Sequence, residues 1–228
     1  LGTTRVYFGG DKGALRLRGK SSTGTAQNLS WEGSGTISFG TSAKVLCSGD
    51  IRTLIDYENY SDANTSNASF CRLFKNCTQL ISAPELPATT LSTLCYGGMF
   101  WGCSNLTSAP ELPATTLAYR CYEFMFNNCE NLTIAPELPA TTLAGGCYTG
   151  MFSGCTSLTS APELPATTLA QGCYHNMFQQ CTGLKYAPEL PATTLAGSCY
   201  YGMFAECTGL TSAPELPATT LAQSCYQN

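Results

Sequence analysis

Charge is what this sequence has least of. Only 11% of its 228 residues are Asp, Glu, Lys or Arg, while 43% are hydrophobic. That balance excludes a disordered chain, which needs high charge and few apolar groups. The net charge is −4 and the pI about 5.0. This argues against nucleic acid as a partner, because phosphate binding needs a basic stripe. Histidine occurs once, at His175. A Ser-His-Asp or Cys-His site would have to use it, and no nucleophile is singled out beside it, so no enzyme and no cofactor are expected. Its position in the repeat is Gly97, Glu123, Thr149 or Tyr201 elsewhere, a variability that predicts exposure. No Cys-x-x-Cys occurs, which removes the zinc-ribbon and thioredoxin readings. No apolar run approaches the roughly 18–20 residues of a membrane span, and no signal peptide is visible.

What the chain does have is a phrase. Ala-Pro-Glu-Leu-Pro-Ala-Thr-Thr-Leu starts at Ala83, Ala109, Ala135, Ala161, Ala187 and Ala213, each 26 residues after the last. A fixed period of this size means a solenoid or array. Between the phrases, residue types recur as columns: Leu80 to Leu210, Leu91 to Leu221, Met99 to Met203, Phe74 to Phe204, and an aromatic series from Phe70 through Tyr96 to Tyr226. Fixing the backbone of one coil costs more than its few apolar side chains return, so coils must stack and the columns are core.

The coil from Leu106 to Cys129 is representative. Pro110 and Pro113 exclude a helix interior and bias their neighbours to extended geometry. Both lack an N–H, so the strands should be short and poor in ladder bonds. Thr115 and Thr116 form a turn and offer N-caps. Leu117, Cys121 and Phe124-Met125-Phe126 follow at i, i+4 and i+7 to i+9, which predicts a short helix ending at Asn127-Asn128, or at Gly102 or Gly154 in other coils. The coil is thus expected to be strand, turn, helix, turn.

Residues 1–66 do not repeat and form the expected N-terminal module; residues 67–228 form the solenoid of about six coils. Runs such as Arg5-Val6-Tyr7-Phe8, Leu15-Arg16-Leu17-Arg18, Thr36-Ile37-Ser38-Phe39 and Lys44-Val45-Leu46-Cys47 lie between Gly- and Asp-rich turns, which predicts β-hairpins. Ile51, Leu54 and Ile55 behind Asp50 predict one short capped helix. The module should pack on the first coil and seal that end of the array, as solenoids require. The chain stops inside a coil, just after Cys225-Tyr226, so the natural protein is expected to continue with further coils.

Two columns hold twelve of the fourteen cysteines, Cys77 to Cys207 and Cys95 to Cys225; Cys47 and Cys71 remain. They read either as buried free thiols or as bridges between coils, Cys77–Cys95 through Cys207–Cys225 with Cys47–Cys71. A further column, Glu85 to Glu215, sets six like charges one coil apart, either fanned into solvent or bonded to neighbouring groups, or holding a ladder of cations.

The motif Met99-Phe100-x-x-Cys103-x-x-Leu106-x-x-Ala109-Pro110-x-Leu112-Pro113 resembles the Ala-Phe-x-x-Cys-x-x-Leu-x-x-Ile-x-Ile-Pro pattern of BspA-type leucine-rich repeats. Cys95-Tyr96-x-x-Met99-Phe100 is similar to the variant found in surface proteins of gut anaerobes and their phages. The likeness covers residues 70–228, and residues 44–57 resemble the segment that leads into such arrays. It implies an α/β solenoid, leucine-rich-repeat-like, with its strands on a concave side and a small β-rich cap. It also implies an extracellular or cell-surface location, adhesion-like binding of a protein or glycan partner, and no shared catalytic residues. The alternative is a structural spacer or a phage tail-fibre or receptor-binding element. A binding face should gather the residues that break the repeat, among them Trp101, Arg120, Phe124, Ile134, Lys185, Tyr186 and Tyr201, which fall in three parts of the coil. On the extended segment the usual Thr-Ser becomes Thr133-Ile134 and Lys185-Tyr186. Large exposed side chains there are the expected anchor, which makes Ile134, Lys185 and Tyr186 the candidate contact residues.

Overall fold

The computed structural model describes residues 17–25, 36–40 and 42–227. Arg5–Phe8 and the first half of Leu15–Arg18, expected as strands, lie outside the described residues, and Leu17 and Arg18 are not in a strand.

The coils stack in register, but the segment expected to be helical is something else. Between Ser92 and Cys103 the backbone N–H groups alternate in what they do. Those of Cys95, Gly97, Met99, Trp101 and Cys103 donate three residues back, to Ser92, Leu94, Tyr96, Gly98 and Phe100, at 3.0–3.1 Å. Those of Leu94, Tyr96, Gly98, Phe100 and Gly102 donate to the next coil, to Tyr119, Cys121, Glu123, Met125 and Asn127, at 2.7–3.1 Å. The result is a ribbon of overlapping β-turns whose every second N–H ties it to its neighbour. Leu94, Gly98 and Gly102, the third residues of alternate turns, have φ of 55°, 57° and 74°. A type II turn demands that sign at that position, and a helix forbids it. Among the described residues there is no α-helix, so the α/β expectation is corrected to stacked coils of turns and short extended segments.

The spacing misled because the ribbon has a period of four. Residues point inward in pairs and outward in pairs: Cys121 and Tyr122 are buried, then Met125 and Phe126, then Cys129. Over nine residues a period of four and the helical 3.6 differ by only about one position. Asn128, Gly102 and Gly154 are left-handed turn residues and not helix stops. With no helix to cap, the Thr-Thr pairs are simply exposed.

The columns form one continuous core with Ile51 and Ile55. The Phe column stacks from Phe74 to Phe204 with centroids 5.6–5.8 Å apart and planes within 8°. The second series stacks from Phe70 to Tyr226 at 5.6–6.0 Å. Both fall in the range of offset aromatic stacking. The extended segments are sparse in ladder bonds, as the prolines require: β1 (Val45–Leu46) and β2 (Leu80–Ser82) pair in parallel, and elsewhere among the described residues only isolated bridges occur, such as Thr90 with Thr116 and Thr168 with Thr194.

The described part of the N-terminal region packs on the first coil. Ile37 N–H donates to Leu73 O, Val45 N–H to Gln79 O and Ile51 N–H to Glu85 O. The hairpin expectation fails where it can be seen: Thr36–Phe39 is not a strand, and Val45–Leu46 pairs with the array. The short helix is one 3-10 turn, Ile51–Leu54, and Asp50 caps it by accepting from Arg52 N–H.

Candidate functional site

The extended segments bring the three expected contact residues onto one row. Thr159 N–H donates to Thr133 O, Lys185 N–H to Thr159 O and Thr211 N–H to Lys185 O, at 3.2–3.5 Å. Ser160 pairs with Tyr186 in the same register. Ile134, Ser160 and Tyr186 therefore stand in successive coils. Ile134 is 68% exposed and Tyr186 67%. Lys185 is exposed beside them, its carbonyl also accepting from Thr211 Oγ1 at 3.1 Å.

The turn ribbons hold a second group that the sequence left scattered. The rings of Trp101 and Phe124 meet at 5.5 Å, inclined by 37°. Lys75 Nζ lies 3.8 Å from the centre of the Trp101 ring, and the Arg72 guanidinium 6.0 Å from it. In the next coil, the Arg120 guanidinium lies 4.9 Å over the Tyr119 ring, and its Nε is 3.5 Å from the buried carboxylate of Glu123. These side chains lie flat because the following coil makes room with Gly145, Gly146 and Gly150. A Cβ at Gly146 would stand 3.1 Å from Arg120 Cγ, and one at Gly145 3.4 Å from Tyr119 Cδ2. Burial, and then the neighbouring Arg72 charge, push the Lys75 ammonium below its usual range. Sequence reasoning passed over Tyr119. Its signal was a large residue in a column that is Gly145, Gln171 and Gly197 in later coils.

His175 is half-buried rather than exposed, stacked on Tyr201 at 4.7 Å, and burial holds its pKa below the ordinary value. The six Glu side chains from Glu85 to Glu215 are exposed. Among the described residues no three or more His, Cys, Asp or Glu come together as metal ligands. No helix among them is long and apolar enough to cross a membrane.

All fourteen cysteines are free thiols, thirteen of them buried and Cys47 half-buried. The first column is also a hydrogen-bond ladder. Cys103 Sγ donates to Phe74 O, Cys129 to Phe100 O, Cys155 to Phe126 O and Cys181 to Phe152 O, at 3.0–3.2 Å. Down the columns the thiols act on one another, Cys77 on Cys103, and Cys121 and Cys173 on Cys147. Likewise Cys47 neighbours Cys77, and Cys71 neighbours Cys95. Burial pushes the thiols of Cys95, Cys121 and Cys155 up to about 12, so they are neither nucleophiles nor ready redox groups at neutral pH.

No family model and no curated protein matches the chain. Two solved structures are similar to it. One is a leucine-rich repeat protein of T. pallidum, 20% identical, with a TM-score of 0.43 and 68% of each chain covered. The other is a leucine-rich cell surface protein of Faecalibacterium prausnitzii, 19% identical, with a TM-score of 0.44. There the match covers 82% of this chain but spans only 44% of the other.

Proposed function

We propose that the chain is a non-enzymatic binding array, at the cell surface or outside the cell, whose partner is a protein or a glycan. The observation that carries this reading is the row of Ile134, Lys185 and Tyr186. Two large side chains stand about two-thirds exposed where other coils place serine. Nothing in the stacking calls for them there, and exposed aromatic and aliphatic groups on a rigid row serve as anchors for a partner. A spacer or fibre element is the second reading. It draws support from the uniformity of the columns, which would make a stiff rod of any length.

The test begins with an array of glycans and extracellular-matrix proteins probed with the purified chain. A captured partner is then titrated against the double variant Ile134→Ser and Tyr186→Ser, which restores the local consensus. A loss of roughly tenfold or more is the scale of one lost anchor. Unchanged affinity overturns the role of the row, and an array without any captured partner favours the spacer.

A further inference from the structure

The second group of side chains goes beyond that row. From Phe70 onward the chain has nine Glu and only four basic residues, yet three of those four, Arg72, Lys75 and Arg120, lie around Trp101, Phe124 and Tyr119. One carboxylate, Glu123, lies among them and faces Arg120. The local balance is positive on an array that is otherwise acidic. Arg72, Arg120 and Phe124 have φ of 57°, 54° and 53°. Corresponding positions hold Gly98, Gly146, Gly150, Gly172 and Gly202 in some coils, and Leu94, Asn176, Ser198 and Ser224 at φ of 51–55° in others. Glycine takes that conformation without strain, and at these positions the coils of Arg72 and Arg120 carry large cationic or aromatic side chains instead.

We propose that this shelf of cations and flat rings is a binding site for an anionic saccharide, one carrying sulfate or carboxylate groups. Charge complementarity selects an anionic occupant. The backbone selects a saccharide over an acidic peptide. Every N–H from Arg120 to Cys129 is already bonded, alternately within its coil and to the next, so a peptide strand finds no donors to pair with. What remains on offer is the 52% exposed Tyr119 ring for a sugar face and the Lys75 and Arg120 cations for its acid groups.

The test titrates a heparin-derived hexasaccharide into the full chain, with cellohexaose and poly-glutamate as comparison probes. Saturable binding of the hexasaccharide that weakens with salt is expected, with no binding of cellohexaose and weaker binding of poly-glutamate. Arg120→Gly removes a cation and relieves its strained backbone but also removes the ion pair of the buried Glu123, so its fold is checked by urea unfolding, and Lys75→Gln tests the same site without touching that pair. Each variant should weaken binding roughly tenfold, the scale of a charge-assisted contact. Tyr119→Ala should also weaken binding although it alters no charge, which separates stacking from ion exchange. The double variant at Ile134 and Tyr186 should bind the hexasaccharide unchanged, so failure of one site leaves the other standing. The proposal is overturned by no hexasaccharide binding on the order of 1 mM, by binding indifferent to Arg120→Gly and Lys75→Gln, or by poly-glutamate binding as tightly.

Discussion

The ring of Phe124 lies where a side chain at position 150 would have to be. A Cβ on Gly150 would collide with Phe124 Cε1 and Cδ1, and Gly150 itself has a φ of 57°. One coil's aromatic group thus rests on the next coil's missing side chain, and the two positions are coupled although 26 residues separate them.

Gly150→Ala should therefore destabilise the chain by about 2–4 kcal/mol, from backbone strain and displacement of the ring together. In a Phe124→Ala background only the strain remains, and the cost should fall to about 1–2 kcal/mol. Urea unfolding of the four proteins in the cycle measures the difference. Strictly additive costs would show that the ring gives way freely.

The thiols should count as free. Without reductant, fourteen should react with Ellman's reagent in denaturant. In the native protein thirteen should be silent for as long as the fold holds, with Cys47, the half-buried one, reacting first. A denatured count near zero would mean bridges and would require the two columns to approach each other.

The stacking makes position in the array matter. Phe126 is fully buried between Phe100 and Phe152, with rings 5.6 and 5.7 Å away. Phe204 is half-buried and its one stacked ring is Phe178, 5.8 Å away. Phe126→Ala should cost about 3–5 kcal/mol, the range for a core phenylalanine. Phe204→Ala should cost about half that, since it leaves a smaller cavity. Equal costs by urea unfolding would mean that the stack does not hold the coils together.

Much of this was legible because the repeat prints the same residue at the same height. The period, the Leu, Met and Phe columns, the ladder bonding kept sparse by the paired prolines, and the Ile134–Tyr186 row all follow from the repeated residues and their register. The turn ribbon did not, because Cys121, Tyr122, Met125 and Phe126 satisfy a helical stripe nearly as well as paired inward positions. The sign of φ at Leu94 or Phe124 is invisible in a side chain that ordinarily avoids it. The meeting of Trp101 with Phe124 was not legible either, because the two stand 23 residues apart, off the 26-residue register that the columns follow.

The buried thiols also set an alkaline limit. Cys77, Cys95, Cys121, Cys155 and Cys173 are pushed up to about 12 from an ordinary 9.0, with burial as the leading cause. The folded value lies above the unfolded one, so between about pH 9 and about pH 12 the unfolded chain holds fewer protons than the folded one. Stability must then fall as pH rises through that window, and below pH 9 these groups leave it unchanged. Each thiol contributes a slope of about 1 kcal/mol per pH unit once its unfolded form ionises. The buried tyrosines add to it in the same direction, since burial raises Tyr174 and Tyr200 as well. Marginal stability does not survive several such slopes at once. The melting temperature should be level from pH 6 to pH 8 and then drop steeply, with cooperative unfolding before pH 12 at room temperature. Thermal melts followed by circular dichroism across that range decide it, and a melting temperature unchanged from pH 8 to pH 11 would mean that the thiols are not buried as described.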